Sequence, residues 1–278
     1  MKAISGTSFK ARLAVVILSL IAQTVQAESS TVDASPNLIL GGPVFPTGWM
    51  YLDNGSVGGQ RPEFFDKVAR HAGFSWQGQL FPAKRLMSNL LQGHVEITML
   101  VQNPLLDQPN LILSGEEAIY TENLNIYGKS GSAPVRYRSD LMGKKIVVMR
   151  GYGYGGFKRW LDDPDNRVQQ FEVDSFQQAI SVLIERQQDY ALLYDLNLEA
   201  GLKALSKDGD HAASKQAKQF TVTKWAKVPV YFHLSKRALP DAQAVLDKLM
   251  NSVHELQDEG VLPLVELQEM PGDQGTLN

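Results

Sequence analysis

The chain has 278 residues, of which 44% are hydrophobic, 21% charged and none cysteine, with a formal charge of −3. This composition excludes membrane, fibrous and disordered classes and leaves a globular protein with ample material for a core. A mildly acidic balance gives no footprint for nucleic acid or anionic lipid.

Lys2, Lys10 and Arg12 precede an apolar run over 13–22, and Val25-Gln26-Ala27 puts small residues at the two positions a signal peptidase reads. The pattern predicts a signal peptide over 1–27, cleaved before Glu28. The run is shorter than the roughly 20 residues that span a bilayer, so a retained anchor is the weaker alternative. Cleavage removes three cations and no acids, taking the net charge from −3 to −6. Without cysteine there is neither a disulfide nor a lipid-bearing anchor. A freely diffusing protein of a Gram-negative periplasm is expected, with loose ends over 28–36 and 271–278.

Residues 38–40 form a candidate buried strand closed by Gly41-Gly42, feeding an aromatic loop with Phe45, Trp49 and Tyr51 and a turn at Asp53-Asn54-Gly55. Pro62 and Glu63 suit the first turn of a helix that turns Phe64, Phe65, Val68 and Ala69 inward and ends near Gly73. A strand over 74–80 follows, then a helix opened by Pro82 and stopped by Gly93, then an apolar strand over 95–101. The second half repeats the alternation. Strands are predicted over 123–128, 146–149, 168–173 and 190–194, with a glycine-rich loop at 151–156 opening a helix at Phe157 and an amphipathic helix over 176–186. A polar excursion over 203–219 precedes a strand over 228–234 and a helix over 240–258, ended by Gly260. Strands alternating with helices of this length predict an α/β fold with parallel pairing.

Three segments in order, Asn54-Gly55 with Gly59 and Glu63, Leu90-Leu91-Gln92-Gly93-His94-Val95-Glu96, and Asp140-Leu141-Met142-Gly143-Lys144-Lys145-Ile146, resemble the periplasmic solute-binding proteins of family 3. The resemblance runs over 38–267. It implies a type II periplasmic-binding-protein fold, in which two lobes, each a mainly parallel sheet flanked by helices, are joined by a two-strand hinge. Lobe 1 would comprise 36–122 plus 230–270, lobe 2 would comprise 123–229, and the crossings would lie near 121–125 and 228–231. It further implies a monomer without a cofactor that captures an amino acid or similar small polar solute between the lobes and presents it to an inner-membrane ABC permease. A sensory receptor on the same fold is the alternative.

The chain departs from the family where the ligand is held. Ungapped spacing puts Gln108 in place of the arginine that takes the ligand carboxylate in a fork of two hydrogen bonds. In the second lobe, the position five residues after Asp189 holds Tyr194, and the acid is Asp195. A one-residue slip turns a strand side chain to the other face unless a bulge corrects it.

Eight residues are candidate ligand contacts: Trp49, Tyr51, Arg85, Asn103, Tyr120, Arg150, Tyr152 and Asp195. Trp49 and Tyr51 can stack on a ligand or be pinned into the lobe core. Arg85 sits in the first turn of its helix, where the positive helix end repels it. It either replaces the missing carboxylate receptor or pairs on the surface with Glu116 or Glu117. The loop from Arg150 through Tyr152 to Gly156 either binds a ligand or is a plain flexible turn, and it lacks the order of a nucleotide-binding glycine motif. The five histidines lack metal-ligand spacing, and no serine lies in a nucleophile elbow. An enzyme on this fold, of the dehydratase kind, would have to draw its acid from Glu63, Glu96 or Asp195. Expression in a Gram-negative host should release into the periplasmic fraction a chain whose intact mass begins at Glu28; a species retaining 1–27 in the membrane fraction would rule out cleavage.

Overall fold

The computed structural model describes residues 37–44, 48–186, 188–195, 220–268 and 270–272. The expected signal peptide over 1–27, the segment 28–36, Phe45, the excursion over 203–219 and the tail from 273 lie outside the described residues.

The strands are β1 (Asn37–Pro43), β2 (Met50–Tyr51), β3 (Val57–Gly58), β4 (Ser75–Phe81), β5 (Ile97–Val101), β6 (Ile112–Ser114), β7 (Tyr120–Lys129), β8 (Lys145–Met149), β9 (Gln169–Val173), β10 (Tyr190–Tyr194) and β11 (Phe220–Ser235). The α-helices are α1 (Gln60–His71), α2 (Ala83–Gln92), α3 (Phe157–Asp162), α4 (Phe176–Glu185) and α5 (Ala242–Asp258). Nine strands form one sheet in the order β4-β1-β5-β11-β7-β10-β8-β9, with β6 also paired to β11. The alternation read from sequence is therefore present in two halves. In one, β4, β1 and β5 are parallel and the C-terminal part of β11 runs against them. In the other, β9, β8 and β10 are parallel, with β7 antiparallel to β10. Each half is a mainly parallel sheet with helices on it, as βαβ crossovers require.

Strands β7 and β11 run through both halves. Val230 pairs with both Val101 and Tyr120, and Leu124 pairs with both Tyr194 and Ala226. Between these points, residues 121–123 and 227–229 are paired with each other, so the halves are joined by a short two-strand ribbon. Pro229 is tolerated there because the neighbouring strand β5 begins to pair only at Val230. A register shift between Lys224 and Ala226 leaves Trp225 as an extra residue, and its ring is completely buried. Such a bulge increases local twist and helps the ribbon leave one half of the sheet for the other.

Helix boundaries follow the expected chemistry with small shifts. Helix α1 begins two residues ahead of Pro62, after Gly59, whose φ of 112° a side chain would oppose. Pro82 is the N-cap of α2 rather than its first residue, and Gly93 closes that helix in the left-handed region at φ 82°. Helix α2 buries Leu86, Met87 and Leu90. Helices α1 and α5, from opposite ends of the described chain, pack together, with His71 Nδ1 3.2 Å from Ser252 Oγ.

Trp49 shows how the first half positions the site: its ring lies flat on the backbone of Gly42, where an added Cβ would stand 2.3 Å from Trp49 Cε3. Gly42→Ala should therefore displace the indole and lower stability by about 1–3 kcal/mol, the usual cost of overpacking. Denaturant unfolding monitored by tryptophan fluorescence checks this, and an unchanged midpoint and emission maximum would contradict the packing.

Candidate functional site

A cleft of about 620 Å³, counting space open to solvent, lies between the two halves of the sheet. One wall comes from the first half, through Trp49, α2 side chains Leu86 and Met87, the end of β5 and Asn103; the other comes from Tyr152, Gly153 and Tyr194. Tyr120, Glu122 and Val230 of the connecting strands form its floor. The period of two along β7 explains why residues 120 and 122 share this face.

The floor carries a buried ion pair. Arg61, in the first turn of α1, forms a salt bridge with Glu122, whose side chain is 13% exposed, and its guanidinium stacks over Tyr120 with Cζ 4.4 Å from the ring centroid. The α1 dipole disfavours a cation at that position, and the Glu122 carboxylate offsets the repulsion. Burial pushes the Glu122 carboxyl above its ordinary range, and Arg61 opposes the rise. Arg61 Nε is buried without a hydrogen-bond partner among the described residues.

The opposite wall is aromatic. Tyr152 and Tyr194 have ring centroids 6.1 Å apart, Tyr154 lies 6.1 Å from Tyr194, and Tyr152 meets Phe176 edge-on. Burial raises the phenol pKa of Tyr152, Tyr154 and Tyr194, so all three are neutral at ordinary pH. The Tyr194 hydroxyl is buried with no hydrogen-bond partner among the described residues.

Of the eight sequence candidates, Trp49, Asn103, Tyr120 and Tyr152 line the cleft and the other four lie elsewhere. Trp49 is both pinned in the core and part of the wall, at 2% exposure. Tyr51 is exposed, and its hydroxyl accepts the Leu80 backbone N–H at 3.2 Å on the edge of β4. Arg85 is on the surface without an ion-pair partner among the described residues; the glutamate offered as its partner, Glu117, instead bonds His254 at 2.9 Å. Arg150 is held by Glu172 at 3.4 Å and Asp174 at 3.1 Å, outside the cleft. Asp195 follows β10 directly, with no bulge, so Tyr194 faces the cleft and the Asp195 carboxylate instead accepts from Tyr127 Oη at 3.4 Å. Gln108, placed by ungapped spacing at the carboxylate receptor, is exposed and donates to Leu105 O. Glu63 is exposed and Glu96 is spent on the Ile39 N–H at 2.7 Å.

Sequence reading missed Glu122 and Tyr194, which line the cleft, and Arg61, which pairs with Glu122. The dipole anomaly noted for Arg85 applies equally to Arg61, and strand alternation from Tyr120 points to Glu122; these two signals were available.

The halves touch across the cleft. Asn103 Nδ2 donates to Gly151 O at 3.0 Å, while Asn103 Oδ1 caps the short 3₁₀ turn that follows by accepting Leu105 N–H. The loop carrying Gly151 is not a plain turn: Tyr154 holds a positive φ of 51°, its ring is fully buried, and its hydroxyl accepts the Met149 N–H at 2.6 Å.

A second crevice of about 760 Å³, again counting open space, shares Asn103 with the first and is lined by Asp107, Ser114, Arg159, Tyr231 and His233. Alternation along β11 turns Val230 to the first cleft and Tyr231 and His233 to the second. His233 Nε2 lies 3.2 Å from Leu100 O, which requires the proton on Nε2 and leaves Nδ1 to accept from Ser114 Oγ at 2.8 Å. Burial pushes the His233 pKa down to about 4, so it is a weak base. Among the described residues no helix is long and apolar enough to cross a membrane, and no group of three His, Asp or Glu could hold a metal ion.

No family model matches the sequence, and no curated protein sequence does. Solved structures do resemble it. The substrate-binding protein of an amino acid ABC transporter matches with a TM-score of 0.59 and 16% identity, over 81% of this chain and 94% of that one. A histidine kinase sensor domain similar to periplasmic binding proteins matches with a TM-score of 0.63 and 16% identity, over 82% and 93%. An ancestral amino-acid-binding protein, precursor of cyclohexadienyl dehydratase, matches with a TM-score of 0.59 and 14% identity, over 81% and 90%. At these identities the likeness establishes the fold: this chain has the two-lobed architecture of the periplasmic binding proteins.

The contact across the cleft can be broken without touching a cleft side chain. A Cβ on Gly153 would stand 2.7 Å from Gln102 O and 3.1 Å from Asn103 Cα, both backbone atoms of the opposite half. Gly153 has φ −90°, so alanine adds no backbone strain there. Gly153→Ala should hold the halves apart, seen as a larger radius of gyration in small-angle X-ray scattering with a stability change within about 1–3 kcal/mol; an unaltered scattering profile would show that the contact does not govern closure.

Proposed function

We propose that this protein is a binding protein, which captures a small organic solute between its two lobes by bending about the ribbon of 121–123 and 227–229. The observation that carries this reading is the cleft itself. Both halves and the connecting strands contribute walls to it, the Asn103–Gly151 hydrogen bond spans it, and the buried Tyr194 hydroxyl on its wall has no partner among the described residues. A ligand that touches both walls favours the closed form by its differential affinity, and no further mechanism is required.

The ligand is not held like an ordinary amino acid. Arg85, Arg150 and Gln108 all lie outside the cleft wall, and Arg61 is committed to Glu122. Capture is favoured over chemistry because the acid that lines the cleft, Glu122, is ion-paired through one oxygen with Arg61, and the weak base His233 faces the other crevice. A monomer exported to the periplasm fits this reading, with the closed form delivered to an importer permease. Reporting to a sensor protein is the second outlet for the same closed form, motivated by the likeness to a kinase sensor domain.

A panel of amines, amino acids, small carboxylates and peptides, screened by thermal shift with the purified chain, tests the reading. A binder at 100 times its Kd should stabilise the protein by about 2.7 kcal/mol and so raise its melting temperature, and the same compound should reduce the radius of gyration. A panel that leaves both quantities unchanged would refute solute capture.

A further inference from the structure

We propose that the cleft selects an organic ammonium ion, an amine with an apolar or aromatic body and no carboxylate, whose cationic nitrogen meets Glu122. This inference rests on the capture reading above and adds the sign of the ligand's charge to it.

One oxygen of Glu122 is bonded to Arg61, and among the described residues the carboxylate makes no other hydrogen bond although the residue lines the cleft. Arg61 stands behind it, stacked on Tyr120, and is not part of the cleft wall. The pair therefore presents its negative end to the ligand. Most of the remaining wall is apolar, with Leu86, Met87 and Val230 among its members, so a donor that also carries positive charge gains most from the open acceptor.

The rings point to the same charge. Trp49 lines the cleft on one side and Tyr152 and Tyr194 on the other, and aromatic rings attract a cation while offering a surface to an apolar body; Tyr120 lines it too, with one face already taken by Arg61. A carboxylate-bearing ligand meets the opposite situation. No unpaired cation lines the wall, and Glu122 repels an anion, so the arrangement discriminates against acids as well as favouring amines.

Phenethylamine, with 2-phenylethanol and 3-phenylpropionate as its neutral and anionic isosteres, is titrated into the purified chain by calorimetry. The amine should bind at least about tenfold more tightly than either isostere, the scale of one charge-assisted hydrogen bond. Glu122→Gln should weaken amine binding by roughly tenfold to a hundredfold and leave the alcohol little changed. Because that substitution strands the Arg61 charge in a buried site, the double variant Arg61→Met/Glu122→Gln, which removes both charges, is measured beside it and should show the same loss of amine preference. An isostere that binds as well as the amine, or a preference that survives in both variants, overturns the charge assignment and leaves solute capture standing. Absence of binding by all three probes also overturns the proposal, whereas capture itself falls only if the wider panel shifts neither melting temperature nor radius of gyration.

Discussion

The antiparallel pairing of β7 with β11 is the constraint on which the rest of this structure depends. These strands carry the chain between two half-sheets, and along 121–123 and 227–229 they have each other as sheet partners. A two-strand ribbon is a lightly braced kind of sheet, held here additionally by the Lys227–Gln268 bridge, and it is where bending would concentrate. The cleft floor is built from the same strands: Tyr120 and Glu122 on β7, Val230 on β11. In the proposed binding role, a ligand resting on this floor would touch both walls and the element about which they would move, so that binding and closure would be one event.

The ion pair on that floor is not a device for stability. Removing two charges from water costs more than their attraction returns in many buried pairs, and apolar replacements of similar volume are often as stable. Arg61 instead fixes the direction of Glu122. Its guanidinium contacts the Tyr120 ring and the carboxylate, and the Arg61 backbone N–H donates to Gly48 O at 3.1 Å. A carboxylate clamped from behind has a defined orientation toward the cleft before any ligand arrives, which lowers the ordering cost of recognition. The same α1 turn therefore serves the fold, through Phe64 and Phe65 in the core, and the site, through Arg61.

The alternation of apolar strands and helices is a short-range signal, and it sufficed to place β1, β4, β5, β8, β9 and β10 and the helices that cover them. It failed at β11, where an expected strand over 228–234 proved to begin at Phe220. Lys224 and Lys227 break the apolar pattern there, and Trp225 is an inserted bulge residue that puts the alternation out of phase. Loop candidates succeeded in part, since Trp49, Asn103 and Tyr152 line the cleft, whereas the strand residues Glu122 and Tyr194 were missed although a period of two along β7 and β10 assigns them to that face. Residue type alone did not suffice elsewhere. Arg150 and Tyr51 were singled out by residue type, but loop conformation and partners distant in sequence, Glu172, Asp174 and the Leu80 N–H, decide where they point. The Arg61–Glu122 pair joins positions 61 residues apart, a separation that no local pattern encodes.

The contact between the lobes is small by design of its parts. The loop of residues 150–156 is tied down by the Tyr154 hydroxyl on the Met149 N–H and carries exposed ion pairs of Arg150, and it meets the other half through the Asn103 amide and the backbone beside Gly153. One neutral hydrogen bond contributes about 0.5–1.5 kcal/mol net, a factor of roughly two to twelve in an equilibrium. Such a latch biases closure and cannot lock it. Driving a two-state equilibrium from one side to the other takes on the order of 5 kcal/mol of differential affinity, and in the proposed role that difference would come from a solute bridging Glu122, the aromatic wall and the α2 face at once. A latch as weak as the Asn103 bond would leave such a ligand in control of the conformation.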